Sequence, residues 1–163
     1  MAVLRVVKFP NKVLKTKASE VLKITDVERK LVTDMIETMY AENGVGLADN
    51  QVGILKQIFV ASPDQVKGKE LVYFNPRIIK QQGLIKEFEG CLSVPETYEP
   101  VRRSKKVTIS AMTLEGKKVE VSGEGLLSRI FQHEIDHLNG ILFIDRLGFL
   151  KSRLTKKKLT RKK

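Results

Sequence analysis

The two histidines of this 163-residue chain stand four residues apart, in His133-Glu134-Ile135-Asp136-His137. Residues at that spacing share one face of a helix, so the two imidazoles can ligate a single ion together. A third ligand is needed to make a site. The one cysteine, Cys91, lies 42 residues before His133 in Glu89-Gly90-Cys91-Leu92-Ser93. A thiolate with two imidazoles makes a three-ligand set with a fourth position for water. Glu134, one residue from a ligand, can take a proton from that water. Blander readings stand beside these: an amphipathic helix with two histidines by coincidence, and a lone cysteine used as a small buried hydrophobe. With no second cysteine there is no internal disulfide, which fits a cytosolic thiol.

These side chains must be held by a helix, and the segment Glu124 to Leu138 has helical periodicity, with Asn139-Gly140 as its stop. At 100° per residue Leu126, Ile130, His133 and His137 point one way, and Leu127, Phe131, Ile135 and Leu138 widen that face. Ser128, Arg129, Gln132 and Asp136 fall on the other side. Glu134 projects between the two apolar groups, where desolvation should raise its pKa toward neutrality. Thr25 to Asn43 reads as a second helix: Val27, Leu31, Met35 and Met39 recur every fourth residue, Thr25-Asp26-Val27-Glu28 forms a capping box, and Asn43-Gly44 ends it. Strand-like runs cover Gln57 to Ala61, Leu71 to Asn75, Leu84 to Phe88, Lys106 to Met112 and Lys117 to Val121, with Leu114-Glu115-Gly116-Lys117 as a hairpin turn. Helix, strands, then helix without regular alternation predicts an α+β fold.

Three segments together resemble the signature motifs of peptide deformylases: Gly44-Val45-Gly46-Leu47-Ala48-Asp49-Asn50-Gln51, Glu89-Gly90-Cys91-Leu92-Ser93 and Gln132-His133-Glu134-Ile135-Asp136-His137. Order and approximate spacing are similar as well, from an N-terminal strand to about Leu147. The resemblance implies small antiparallel sheets packed around a central helix that carries the His-Glu-x-x-His motif. It implies a metal held by Cys91, His133 and His137, natively iron(II), with zinc, nickel or cobalt in isolated protein. It implies Glu134 as the proton carrier, with the backbone N–H of Leu92 and the amide of Gln51 as donors to the oxygen that gains charge. Val45, Gly46, Leu126 and Ile130 match positions that line the cleft for methionine; for Leu126 and Ile130, plain helix core is the competing reading. Glu89 and Arg103 match a pair beside the site, against a solvated surface pair. The implied substrates are N-formyl-Met peptides and nascent chains, and the implied product is formate.

The chain departs from that pattern at Asp49, where the family normally carries a small residue. If the segment is extended, Asp49 and Gln51 point the same way, and the carboxylate could hold the Gln51 amide or oppose the oxyanion. Tyr98 stands where some relatives have arginine, which leaves preference beyond the first substrate residue open.

Length and a 42% hydrophobic content suit one domain, read as a catalytic domain over 1–150 and a basic tail over 151–163. Of the net charge of +11, eight Lys or Arg in that tail leave +3 for the other 150 residues. The tail is either a solvated end or a short basic helix drawn to ribosomal RNA. No signal-like leader or apolar run of spanning length is present, so the expectation is a cytoplasmic protein of bacterial type, with an organellar setting as the alternative and neither membrane nor DNA as partner. Two rivals remain: a zinc peptidase, which commonly takes His or Glu as third ligand, and an impaired homologue kept as a ribosome-associated binding protein.

Overall fold

Helix α1 (Asp26–Ala41) begins where Thr25 and Glu28 cap each other, in the computed structural model that describes residues 2–161. Leu31, Met35 and Met39 are buried as the fourfold spacing requires, but Val27 is 67% exposed. The buried stripe runs through Glu28 in its place. That carboxylate accepts from the Thr25 backbone N–H (2.9 Å) and from Lys56 Nζ (2.5 Å), so the first turn is held by polar contacts.

Five strands form one antiparallel sheet in the order β1-β2-β3-β6-β7: β1 (Gly46–Ala48), β2 (Ile58–Ala61), β3 (Leu71–Gln82), β6 (Lys106–Met112) and β7 (Lys118–Glu124). Both faces are covered, and β2 shows it: Ile58 and Val60 pack toward α1, while Phe59 and Ala61 pack toward α2 (Gly125–Leu138). Alternation in direction with burial on both sides explains the unbroken apolar run of β2. On the α2 side the rings of Phe59, Tyr73 and Phe131 meet with centroids 5.5 to 6.0 Å apart.

A separate hairpin, β4 (Ile85–Cys91) and β5 (Val94–Arg103), forms the second sheet. β5 is absent from the expected strands because Pro95 and Pro100 interrupt its pattern. Proline is tolerated there, since both strands of a two-stranded sheet are edges. β3 runs seven residues beyond the expected Asn75, past Pro76, with register breaks between Phe74 and Arg77 that accommodate the missing N–H. The β6–β7 turn is closed by Gly116 N–H to the Thr113 carbonyl (2.9 Å), with Gly116 at φ +80°. The expected N-terminal strand is not one. Residues 2–8 join no sheet and are pinned singly, Ala2 N–H on Asp34 Oδ1 (2.9 Å) and Leu4 N–H on Thr38 Oγ1 (2.8 Å).

α2 is buried almost all round. Its expected polar side, Ser128, Arg129, Gln132 and Asp136, faces no solvent; it packs against the β4–β5 hairpin and Ser104. A last helix, α3 (Phe149–Arg161), follows a 3-10 turn at Phe143–Arg146. The tail is thus helical up to Arg161; Lys162 and Lys163 lie outside the described residues.

Candidate metal centre

α2 presents His133 and His137 toward the end of β4. A register break between Glu89 and Cys91 turns the strand there and brings the Cys91 sulfur against them. Cys91 Sγ lies 3.2 Å from His137 Nε2, the two Nε2 atoms are 3.1 Å apart, and the three donor atoms all fall within 4.8 Å of one another. Tetrahedral ligation at ordinary metal–sulfur and metal–nitrogen lengths puts donors about 3.3 to 3.6 Å apart, close to this spacing.

Burial pulls both imidazole pKa values down. At His133 the Cys91 sulfur and the Glu89 carboxylate reverse this and raise it well above 6.5, whereas at His137 the charge on His133 adds to burial and keeps it well below. Three potential donor atoms thus face one another in a buried site whose first imidazole is backed by a carboxylate, an arrangement that favours positive charge between them. A bound cation meets the same demand, so the donor set fits a metal.

His133 is oriented from behind. Its Nδ1 sits 2.6 Å from Glu89 Oε1, which leaves Nε2 for the site. Glu89 is in turn held by Arg103, through Nη2 (2.6 Å) and Nε (3.1 Å), and by Arg129 Nη1 (2.8 Å). Burial would raise the Glu89 pKa, but hydrogen bonds from His133 and Arg103 hold it well below the usual carboxylate range. Glu89 and Arg103 are therefore not a solvated surface pair. Arg103 also reaches Asp136 Oδ2 (2.5 Å), which Arg146 grips from the other side. Asn50 Nδ2 donates to the His137 carbonyl.

Glu134 is 3% exposed, and burial pushes its pKa up to about 7. Its Oε2 has no hydrogen-bond partner. Gly46 leaves room for it: a Cβ there would displace the Glu134 carboxylate and meet Ile130 Cγ2 at 3.1 Å. Gln51 Oε1 accepts from Ala48 N–H (2.9 Å), which aims Nε2 at Ser93 Oγ (3.2 Å) and Cys91 Sγ (3.6 Å). Leu92 follows Cys91 in the tight turn between paired Cys91 and Val94.

A cleft of about 470 Å³ opens on these groups, and Val45, Gly46, Gln51, Leu92, Leu126 and Ile130 all line it. Leu126 is 51% exposed, so it is cleft wall; Ile130 serves both as wall and as core. Phe88 and Tyr98 form an exposed aromatic rim.

Asp49 corrects its expected geometry. The segment from Asp49 to Val52 is a 3-10 turn, so Asp49 and Gln51 share no extended face. The Asp49 carboxylate accepts from Lys56 N–H, its other oxygen has no partner, and burial pushes its pKa up to about 8.

Asn50 and Ser93 stand in the motifs with no expected role, and Arg129 and Asp136 are expected only as part of a polar side. The signal for Arg129 and Asp136 was their place four and three residues from His133, which puts them beside that ligand on the helix. Their partners lie 40 and 33 residues away, which spacing alone does not reveal.

The model of the family described as polypeptide deformylase matches residues 3–153. The chain belongs to the polypeptide deformylase family. A peptide deformylase of Thermodesulfovibrio yellowstonii is 44% identical over 165 residues, spanning 100% of both chains. One from Symbiobacterium thermophilum is 50% identical over 146 residues, 90% of this chain and 67% of that one. Among solved structures, a Legionella pneumophila peptide deformylase superposes with a TM-score of 0.93 at 39% identity, covering 98% of this chain and 95% of that one. An Ehrlichia chaffeensis peptide deformylase in complex with actinonin gives 0.91 at 38%, covering 100% and 99%. The family and the Cys/His/His cluster together make this a metal-dependent hydrolase fold with its donor set in place.

Proposed function

We propose that this chain removes the N-formyl group from the N-terminal methionine of nascent polypeptides and releases formate. The observation that carries the reading is the meeting of Cys91 Sγ with both Nε2 atoms, beside a buried Glu134 whose pKa is about 7. Cys91, His133 and His137 hold one divalent cation, iron(II) by resemblance to the family, with zinc, nickel or cobalt as replacements that the same donors accept. When bound, the cation supplies Lewis acidity that polarises a carbonyl and acidifies water near neutral pH.

The chain's own groups do the rest. Glu134 accepts a proton from the attacking water and returns it to the departing amine. The Leu92 N–H and the Gln51 amide donate to the formyl oxygen as it gains charge. Val45, Gly46, Leu126 and Ile130 receive the methionine side chain in an apolar wall. Glu89 and Arg103 fix the orientation of His133.

Residues 1–150 form the catalytic unit, and residues 151–163 a basic extension that contacts the ribosome. In α3, Lys151 is engaged by Glu99 and Lys156 by Asp145, each at 2.5 Å. Lys157, Lys158 and Arg161 remain exposed beside Leu150 and Leu154. Among the described residues no helix is long and apolar enough to cross a membrane, and the bacterial type of the relatives supports a cytoplasmic setting.

Anaerobic purification, metal analysis and a formate-release assay on formyl-Met-Ala-Ser test the reading. Formate release with no internal peptide cleavage supports it. Cleavage at internal bonds would favour a peptidase, and inert metal-loaded protein an impaired homologue.

A further inference from the structure

Residues 7–9 touch both segments that carry the donor groups of the site. Val7 N–H donates to the Gln51 carbonyl (2.7 Å) and Phe9 N–H to the Ser93 carbonyl (2.8 Å). Between them, Lys8 Nζ donates to the Leu92 carbonyl at 2.8 Å. Gln51 Nε2 on Ser93 Oγ (3.2 Å) closes the ring from the other side.

Lys8 spans the mouth of the cleft. Its ammonium lies 3.7 Å from Glu42 Oε2, at the end of α1, where the wall formed by Asn43 to Gly46 begins. Both side chains are partly exposed, 42% and 38%, and both line the cleft. At 3.7 Å the ion pair with Glu42 contributes little. The bond to the Leu92 carbonyl has the shorter, charge-assisted geometry, and it falls where control matters. Leu92 and Ser93 alone connect β4 to β5, so the Leu92 N–H and carbonyl lie on adjacent peptide planes of one turn. Holding the Leu92 carbonyl limits rotation of its plane and so the direction of the N–H one plane before it, on which donor geometry in a transition state depends.

We propose that Lys8 is a positioning residue for deformylation: its ammonium, set between the Leu92 carbonyl and Glu42, keeps the Leu92 N–H aimed at the oxygen that gains charge. This rests on the deformylase reading above. The role differs from that of a stabilising surface lysine, because it acts in the transition state and not on folding or metal retention.

The test compares wild type, Lys8→Met, Lys8→Arg and, as a surface control in the same N-terminal region, Lys12→Met. Each is loaded with the same metal and assayed on formyl-Met-Ala-Ser. The expected result is a kcat for Lys8→Met about three- to tenfold below wild type, as for a single indirect donor contact. KM, metal content and melting temperature stay at wild-type values, Lys8→Arg recovers most of kcat, and Lys12→Met matches wild type. Unchanged kcat in Lys8→Met overturns the proposal. So does a loss that appears in KM, metal content or melting temperature instead, or one that Lys8→Arg does not relieve. Absence of turnover by metal-loaded wild type overturns the deformylase reading itself, and this proposal with it.

Discussion

Glu134 is the residue to which the proposed reaction assigns proton movement, being the carboxylate of the cleft that is buried next to the Cys/His/His cluster with a pKa raised to about 7. Its neighbours His133 and His137 belong to the Cys/His/His cluster, and Glu89 is held ionised by its hydrogen bonds with His133 and Arg103. Glu134→Gln keeps the shape and removes the base. Turnover should fall by at least about a thousandfold while metal content, read by elemental analysis, stays near one per chain. Asp49 has the opposite character, a buried carboxyl outside the proposed proton path. Its pKa is raised from 3.8 to about 8 by burial. A group whose folded pKa is raised leaves stability intact below its unfolded pKa and removes it as pH climbs through the folded one. Melting temperature should therefore decline between about pH 4 and pH 8 in wild type, and Asp49→Asn should flatten that decline. Parallel melting curves for the two proteins across this range would sink the account of Asp49.

At the scale of elements, the β4–β5 hairpin and α2 are joined by charge more than by apolar contact. Arg103 from β5 bonds Glu89 on β4 and Asp136 on α2, and Arg129 returns from α2 to Glu89. Breaking such a buried set by removing one member strands the others without partners. Arg103→Met should cost about 3 to 5 kcal/mol in denaturant unfolding and speed loss of the metal to a chelator, because Glu89 then no longer holds His133 firmly. A variant with wild-type stability and metal release would show that the network is ornamental. The same elements mark the limit of what spacing reveals. α1, α2 and β6 follow from periodicity and caps, since those signals lie within one segment. β5 does not, because Pro95 and Pro100 mask a strand that exists only through its pairing with β4.

For the whole molecule, the chemistry was more legible than the scaffold. Cys91, His133, Glu134 and His137 carry distinctive types at telling spacings, so the cluster could be anticipated from the chain alone. Lys8, Arg129 and Asn50 are ordinary residue types whose partners are brought near by folding. Val27 misled because the stripe it continues is completed by a capping glutamate. The basic helix α3 belongs to this scale too: Lys151 and Lys156 reach Glu99 and Asp145, while Lys157, Lys158 and Arg161 stay exposed. Deleting residues 151–163 should leave deformylation intact and reduce recovery with pelleted ribosomes at low salt, with the difference vanishing as salt rises. Equal recovery with and without the segment would contradict that role. The most direct test of the central claim is metal-edge X-ray absorption on anaerobically purified, active protein. The account predicts one sulfur at about 2.3 Å and two imidazole nitrogens at about 2.0 to 2.1 Å; a shell of nitrogen and oxygen without sulfur would contradict it.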